Sequence, residues 1–456
     1  MEPVTNASYF FIPFSYGCPF SRFYQSLLHS ESWEIIHDEI KYMLRHVADK
    51  LDSTKEESCL CFHFALKEDA RKQLQMVSPR EVCRIEGKFS GKKEIFPFRL
   101  TGVQLYCFST QIGVMAFRLE FDRDAPIWLA TAQYYAKKVS RTLVTSSFGA
   151  MVQGQEDTDT LMGLGSFLLH ATLPGIGWQP FFYAVPGTER ANVLTYVEVP
   201  LRDGPLKDVY RRELFHLRRC QSDGFFYVAN PAQEEKEIIF TSANMVWGIS
   251  PEAAVCLACP AMGNKEFVKT TFIRNFHSQY LYMYVLLLHQ KFMLYQLMNC
   301  IGTTSEENKL KTYRKQLYEF EMNFSFSRIT EVVQYQELYD KMSQVFALQM
   351  MYNDIREPMD ALAEMEKTQR EEQQKEADEK TNQGLILLSL LAVFSALIDS
   401  FTFTESFFSW FLPEGAIPWV QTAVIILVMV IFIRGLITIF RKPRRSQKSV
   451  HHGGTK

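Results

Sequence analysis

Leu385-Ile-Leu-Leu-Ser-Leu-Leu-Ala-Val-Phe-Ser-Ala-Leu-Ile398 is the stretch on which the reading of the fold turns. It is almost wholly apolar, and Thr381 to Ile398 holds no charged residue, which is about the minimum length that spans a bilayer. A second uncharged run goes from Gly415 to Ile433 and continues past Arg434 to Phe440. Trp410 and Trp419 flank the join between the two runs, as aromatic residues do at a membrane interface. Arg441, Lys442, Arg444, Arg445 and Lys448 follow the second run, whereas residues 400–418 contain neither Lys nor Arg. That asymmetry keeps the basic tail inside, and two spans return the chain to its starting side. The expectation is a multi-pass protein of the inner (cell) membrane with both termini cytoplasmic.

Composition narrows the classes further. The 456 residues carry Lys+Arg 49 against Asp+Glu 51, a formal charge of -2, so no strong global field exists to hold nucleic acid. With 47% hydrophobic residues the chain can fill a sizeable core, which excludes disordered and collagenous classes. The nine cysteines, an odd number scattered among apolar neighbours, read as reduced thiols. Met1 to Phe20 has no basic segment ahead of an apolar run and contains Pro3, Pro13 and Pro19, so no secretion signal is expected.

Upstream of the first run, Leu338, Met342, Val345, Tyr352, Ile355, Met359, Leu362 and Met365 recur at helical steps. Glu364 to Lys380 is rich in good helix formers with i,i+4 pairs such as Glu371 with Lys375. A helix from Ile329 to Ile398, kinked or restarted at Pro358, would reach roughly 100 Å. Two more helices are expected at Glu266 to Cys300 and Ser305 to Phe320, with Ile301-Gly302 as the turn.

Three helices followed by two closely spaced apolar runs, over residues 260–445, resemble the CorA family of divalent-cation transporters. The family's Gly-Met-Asn hallmark is missing, since the equivalent place reads Ile398-Asp-Ser-Phe-Thr-Phe-Thr-Glu-Ser406. A scaffold of this kind without the motif is similar to the CorA-type membrane effectors of type III CRISPR defence. The resemblance implies an α+β cytoplasmic domain followed by long stalk helices and two transmembrane helices, assembled as a homopentameric channel in membrane lipid. It also implies gating by a small nucleotide messenger of the SAM-AMP type, with ion leak or membrane disruption as the outcome. No cofactor is required on this reading, a divalent cation is the other ligand to consider, and the metal is unassigned. The rival functions are a CorA-type magnesium transporter and a nonconducting membrane-anchored scaffold. No enzyme activity is expected, because no Walker, His-Glu-x-x-His or Gly-x-Ser-x-Gly motif occurs.

The implied divisions are a ligand-sensing domain at 1–260, a stalk at 261–380, spans at 381–402 and 417–440 around a loop at 403–416, and a basic tail at 441–456. On a helical first span Asn382, Ser389, Ala392, Ala396 and Asp399 share one face, a small and mildly polar stripe suited either to a pore wall or to close helix packing. Glu405 and Glu414 would add charge at the pore mouth. In the first 260 residues, helices are expected at Ser32 to Leu51, Ile127 to Ser140 and Leu206 to Cys220. Strands are expected at Ser58 to Ala65, Val103 to Thr110, Gly113 to Phe121, Phe181 to Val185, Val193 to Val199, Phe225 to Ala229 and Glu237 to Thr241. Arg141, Arg212 and Asp223, close to Phe225, Phe226 and Tyr227, are candidate ligands for a phosphorylated base, since guanidinium, carboxylate and aromatic groups together suit one. The alternative for these arginines is a solvated helix face.

Overall fold

Asn6–Ser15 (β1) reads NASYFFIPFS, and both of its faces are apolar enough to be buried. It lies inside a large sheet in a computed structural model that describes residues 5–37, 40–53, 58–73, 83–138, 160–181, 189–303 and 307–408, with 419, 422–423, 426–427 and 429–434. The described chain divides into two units, Met1–Glu357 and Pro358–Lys456.

In the first unit, Phe20–Leu28 (α1), Trp33–Ile35 (β2), Arg45–Leu51 (α2), Cys61–Leu66 (β3) and Glu68–Gln73 (α3) precede a meander. The meander is Cys83–Phe89 (β4), the long Lys92–Phe108 (β5) and Ile112–Phe121 (β6). Pro126–Ala136 (α4), Leu161–Thr172 (α5), Gln179–Pro180 (β7) and Asn192–Glu198 (β8) follow. Next come Leu206–Val209 (α6), Arg211–Arg219 (α7), Pro231–Glu237 (α8), Ile238–Ser242 (β9), Met245–Ile249 (β10) and Ala253–Ala258 (β11). The sheet has eleven strands in the order β2-β3-β5-β6-β1-β8-β11-β10-β9, with β4 on β5 and β7 on β1. β8 and β11 run parallel, and the other pairs among the described strands are antiparallel.

Alternation along β1 separates two helical layers. Phe10, Ile12 and Phe14 join Leu27 of α1, Leu129 of α4, Leu168 of α5 and Leu217 of α7 in one apolar core. Tyr9 and Phe11 face the other way and pack on Phe276 and Tyr284. Those rings belong to a helical run built from Lys265–Phe267 (α9), a π-helical turn at Val268–Phe272, Ile273–Asn275 (α10), a second π-turn at Phe276–Tyr280, and Leu281–Thr303 (α11). Leu281 through Leu288 are all buried, as expected of a helix apolar on every side. Each large buried side chain contributes about 1.5–3 kcal/mol. Polar bridges fix where this layer sits. Tyr9 Oη meets His277 Nδ1 at 2.7 Å, Tyr282 Oη meets His63 Nδ1 at 2.9 Å, and Thr110 Oγ1 meets His289 Nε2 at 2.7 Å. Glu307–Phe324 (α12) and Val333–Val345 (α13) complete the unit, and Leu348–Phe408 (α14) starts in it.

Several expectations are corrected here. Among the described residues no helix is long and apolar enough to cross a membrane. The first apolar run is part of the 61-residue helix α14, whose upstream half is rich in charged residues. Much of the second run lies outside the described residues. The two transmembrane helices are therefore overturned, and with them the CorA-like membrane architecture and the multi-pass placement in the inner membrane. Residues 441–456 lie outside the described residues.

Locally, Ser32 to Leu51 is not one helix. Trp33–Ile35 pairs with β3 in the register Trp33↔Leu66, and only Arg45–Leu51 is helical. Phe225 to Ala229 is not a strand, and Phe182 to Val185 lies outside the described residues. The long helix breaks at Ala347, whose φ is 57, between α13 and α14. Pro358 sits inside α14 without ending it. Gly302 is helical, within α11.

Candidate functional site

Lys291 is a cation in the middle of an apolar helix, and only 6% of it is exposed. Burying a lysine is costly unless its ammonium finds partners. Its Nζ donates to the carbonyl of Pro251 at 2.7 Å and lies 5.1, 5.6 and 6.0 Å from the ring centroids of Phe346, Phe292 and Tyr295. Its neighbours on α11 are also polar and also bonded. Gln290 Nε2 donates to Tyr339 Oη at 3.1 Å, and His289 is held by Thr110.

The Pro251 carbonyl is presented by the turn between β10 and β11. Ser250 Oγ accepts the N–H of Ala253 at 3.0 Å and that of Glu252 at 3.4 Å, stapling the turn. Asn192, at the start of β8, donates through Nδ2 to the carbonyls of Pro251 and Glu252 at 3.3 and 3.4 Å. The parallel β8–β11 pair thus begins where the turn is fixed.

Glu252 is the carboxylate on which the charges converge. Lys137 Nζ, at the end of α4, donates to its Oε2 at 2.7 Å and to the carbonyl of Arg219 at 3.1 Å. Arg190 Nη1 approaches Oε1 at 3.4 Å. The N–H of Ala191 donates to the carbonyl of Lys137 at 2.8 Å, which ties this edge to α4. Burial alone would raise the Glu252 carboxyl, but Lys137, Arg190 and Lys291 outweigh it and hold it below the usual carboxylate range. Burial pushes the Lys291 ammonium down to about 8, with Glu252 pulling the other way.

A cavity of about 520 Å³ opens between these groups, lined by Phe181, Arg190, Glu252, Lys291, Phe292 and Tyr295 among others. Its size suits a small organic ligand. Phe181 and Phe292 stack with centroids 5.9 Å apart, giving one wall a flat apolar surface. With Lys291 protonated, Lys137, Arg190 and Lys291 leave two positive charges uncompensated by Glu252. The arrangement can hold an anion with a planar group beside it.

The residues anticipated from the sequence lie elsewhere. Arg212 is exposed on α7. The Asp223 carboxylate accepts the N–H of Ser90 at 2.5 Å, and its own N–H donates to Thr131 Oγ1 at 3.0 Å. Both Arg212 and Asp223 act electrostatically on buried His216. Neither lines the cavity, and Arg141 lies outside the described residues. Their arginine neighbours are engaged by glutamates, with Arg211 on Glu234 at 2.6 Å and Arg218 and Arg219 on Glu237 at 2.8 and 3.0 Å. Asn382, Ser389, Ala392 and Asp399 are exposed positions of α14; Ala396 and Glu405 also fall within α14, and Glu414 lies outside the described residues. All nine cysteines are free thiols, and among the described residues no group of three or more His, Cys, Asp or Glu could hold a metal.

Lys291, Glu252, Arg190 and Asn192 were not anticipated. The signal for Lys291 was present, as a single cation inside LYMYVLLLHQKFMLYQL. No family model, curated protein or solved structure matches this chain.

Proposed function

We propose that the chain binds a small anion carrying a planar ring, of the nucleoside-monophosphate kind, in the cavity between the β10–β11 turn and α11. The carrying observation is the surplus of positive charge, three cations around one carboxylate, beside an aromatic wall in a cavity of about 520 Å³. Arg190, with 42% of its side chain exposed, is the rim group, and its fork suits two phosphate oxygens. Lys291 is the deeper charge, and its amine is already desolvated, so little water need be stripped from it on binding. A base stacking on Phe181 and Phe292 would add about 1–3 kcal/mol. The reading keeps the phosphorylated base suggested by the sequence and moves it from α7 to this cavity.

Calorimetric titration with AMP, using adenosine as the uncharged control, tests it. A charge-assisted hydrogen bond contributes about 1.5–3 kcal/mol, so AMP should bind about ten- to a hundredfold more tightly than adenosine. Arg190→Ala should erase most of that margin. Equal binding of the two, or no heat from either at millimolar concentration, would overturn the reading.

A further inference from the structure

We propose that Lys291 is a nucleophilic amine that captures the carbonyl carbon of an aldehyde or ketone ligand as an imine, an inference that rests on the cavity being a ligand site. The geometry has three parts. Lys291 lines the cavity although only 6% of it is exposed, so its nitrogen meets a bound molecule rather than bulk water. Its Nζ is positioned by one hydrogen bond, to the Pro251 carbonyl. A neutral amine can keep that bond with one N–H and still offer its lone pair. Three rings surround it, which disfavours water and protects an imine from hydrolysis.

Protonation state agrees with the placement. Burial pushes Lys291 down to about 8, so about a quarter of it is neutral at pH 7.5, against about one part in a thousand for an exposed lysine near 10.4. Lys137 is also buried, but its nitrogen is engaged by Glu252 and the Arg219 carbonyl, and it is absent from the lining. In the step itself, the nitrogen lone pair forms the C–N bond while the carbonyl π pair moves to oxygen. One nitrogen proton passes to that oxygen to give the carbinolamine, then the second follows, each carried by the nearby Glu252 carboxylate, and the oxygen leaves as water as the nitrogen lone pair forms C=N. Nothing is oxidised or reduced.

Incubating the purified full chain with 4-carboxybenzaldehyde and sodium cyanoborohydride, then mapping adducts by peptide mass spectrometry, tests the assignment. The hydride converts any imine to a stable secondary amine. Lys291 should be labelled about a hundredfold faster than exposed lysines at pH 7.5, with a rate that rises through pH 8 and levels off. Lys291→Arg, which keeps the charge, should remove that fast adduct and leave slow labelling elsewhere. Labelling of Lys291 no faster than of surface lysines overturns the proposal, and needs no variant to be read. Benzaldehyde separates the two readings. If it labels Lys291 as fast as its carboxylate analogue, the amine assignment stands and the anion reading falls. If AMP binds but labelling is spread over surface lysines, the anion reading stands and the amine assignment falls.

Discussion

The two cation-rich regions of the first unit, the arginine helix α7 and the Lys291 end of the sheet, use the same residue types for different ends. Around α7, Arg202, Arg211, Arg218 and Arg219 meet Glu213, Glu234 and Glu237, so nearly every guanidinium has its carboxylate. α7 also presses on β10, where a Cβ on Gly248 would lie 2.9 Å from both Arg218 Cβ and Leu214 Cδ1. At Lys291 three cations share one acid next to an open cavity. A cluster of positive charge marks a binding site only when it exceeds its counter-charge and has room beside it. α7 reads as a strut, and the cavity as a site.

The largest test of this division uses pH, because the helical run that ends in α11 carries opposite signatures on its two faces. Toward the sheet, burial pushes His277 and His289 down to about 3. The unfolded chain binds protons at these positions from about pH 6.5 downward, whereas the folded chain does not. Stability from these groups is full above about 6.5 and is lost as pH falls toward 3. At pH 5 the two together should cost about 4 kcal/mol relative to neutral pH, measured by urea denaturation. His289→Phe should remove about half of that acid slope, and an unchanged slope would show that the seam is not as dry as its burial implies.

Next in size is Glu252→Gln, which leaves Lys137, 3% exposed, without its carboxylate. Breaking a buried pair costs about 3–5 kcal/mol, and the low end applies because the Glu252 side chain is 35% exposed. Glu237→Gln should cost a similar amount by stranding Arg218, but only Glu252→Gln should change AMP affinity. A matching affinity change in both variants would erase the contrast between strut and site. Gly248→Ala should cost about 1–3 kcal/mol through overpacking of the α7–β10 seam, with ligand affinity unchanged.

Legibility in the sequence followed the range of the forces involved. The β5–β6 hairpin was readable because its alternation and turn are adjacent, and β8 and β9 were placed within a residue or two. Trp33–Ile35 was misread because Ser32 to Leu51 has helical spacing, and pairing with β3 overrode it. The helix break went to Ala347 rather than Pro358, since a proline can remain inside a long helix while a left-handed residue ends the hydrogen-bond ladder. Leu385 to Ile398 has the composition of a span, yet among the described residues no helix is long and apolar enough to cross a membrane. The candidate site depended on distance in sequence. Arg190 and Glu252 are 62 residues apart and Lys137 and Glu252 115 apart, so no local pattern announces their meeting. Only Lys291 could have been flagged, by its isolation on an apolar helix.

Lys291→Met gives the smallest change in stability and the finest discrimination. Holding the ammonium in a dry site is unfavourable, as its fall from 10.5 to about 8 records, while the Pro251 hydrogen bond returns about 1 kcal/mol of that. Methionine of similar length should therefore leave the protein equally stable or about 1 kcal/mol more stable at pH 7. For the wild type, the unfolded chain keeps the lysine proton between about pH 8 and 10.5 after the folded chain has lost it. Raising pH through that window removes the unfolded state's advantage, so stability from this group rises there, and the variant should lack the rise. AMP affinity should fall about tenfold in the same variant. A protein that becomes no less stable yet binds less tightly has a lysine kept for the ligand, whereas one that loses stability without losing affinity has a lysine kept for the fold, which would place the cavity in the same class as α7.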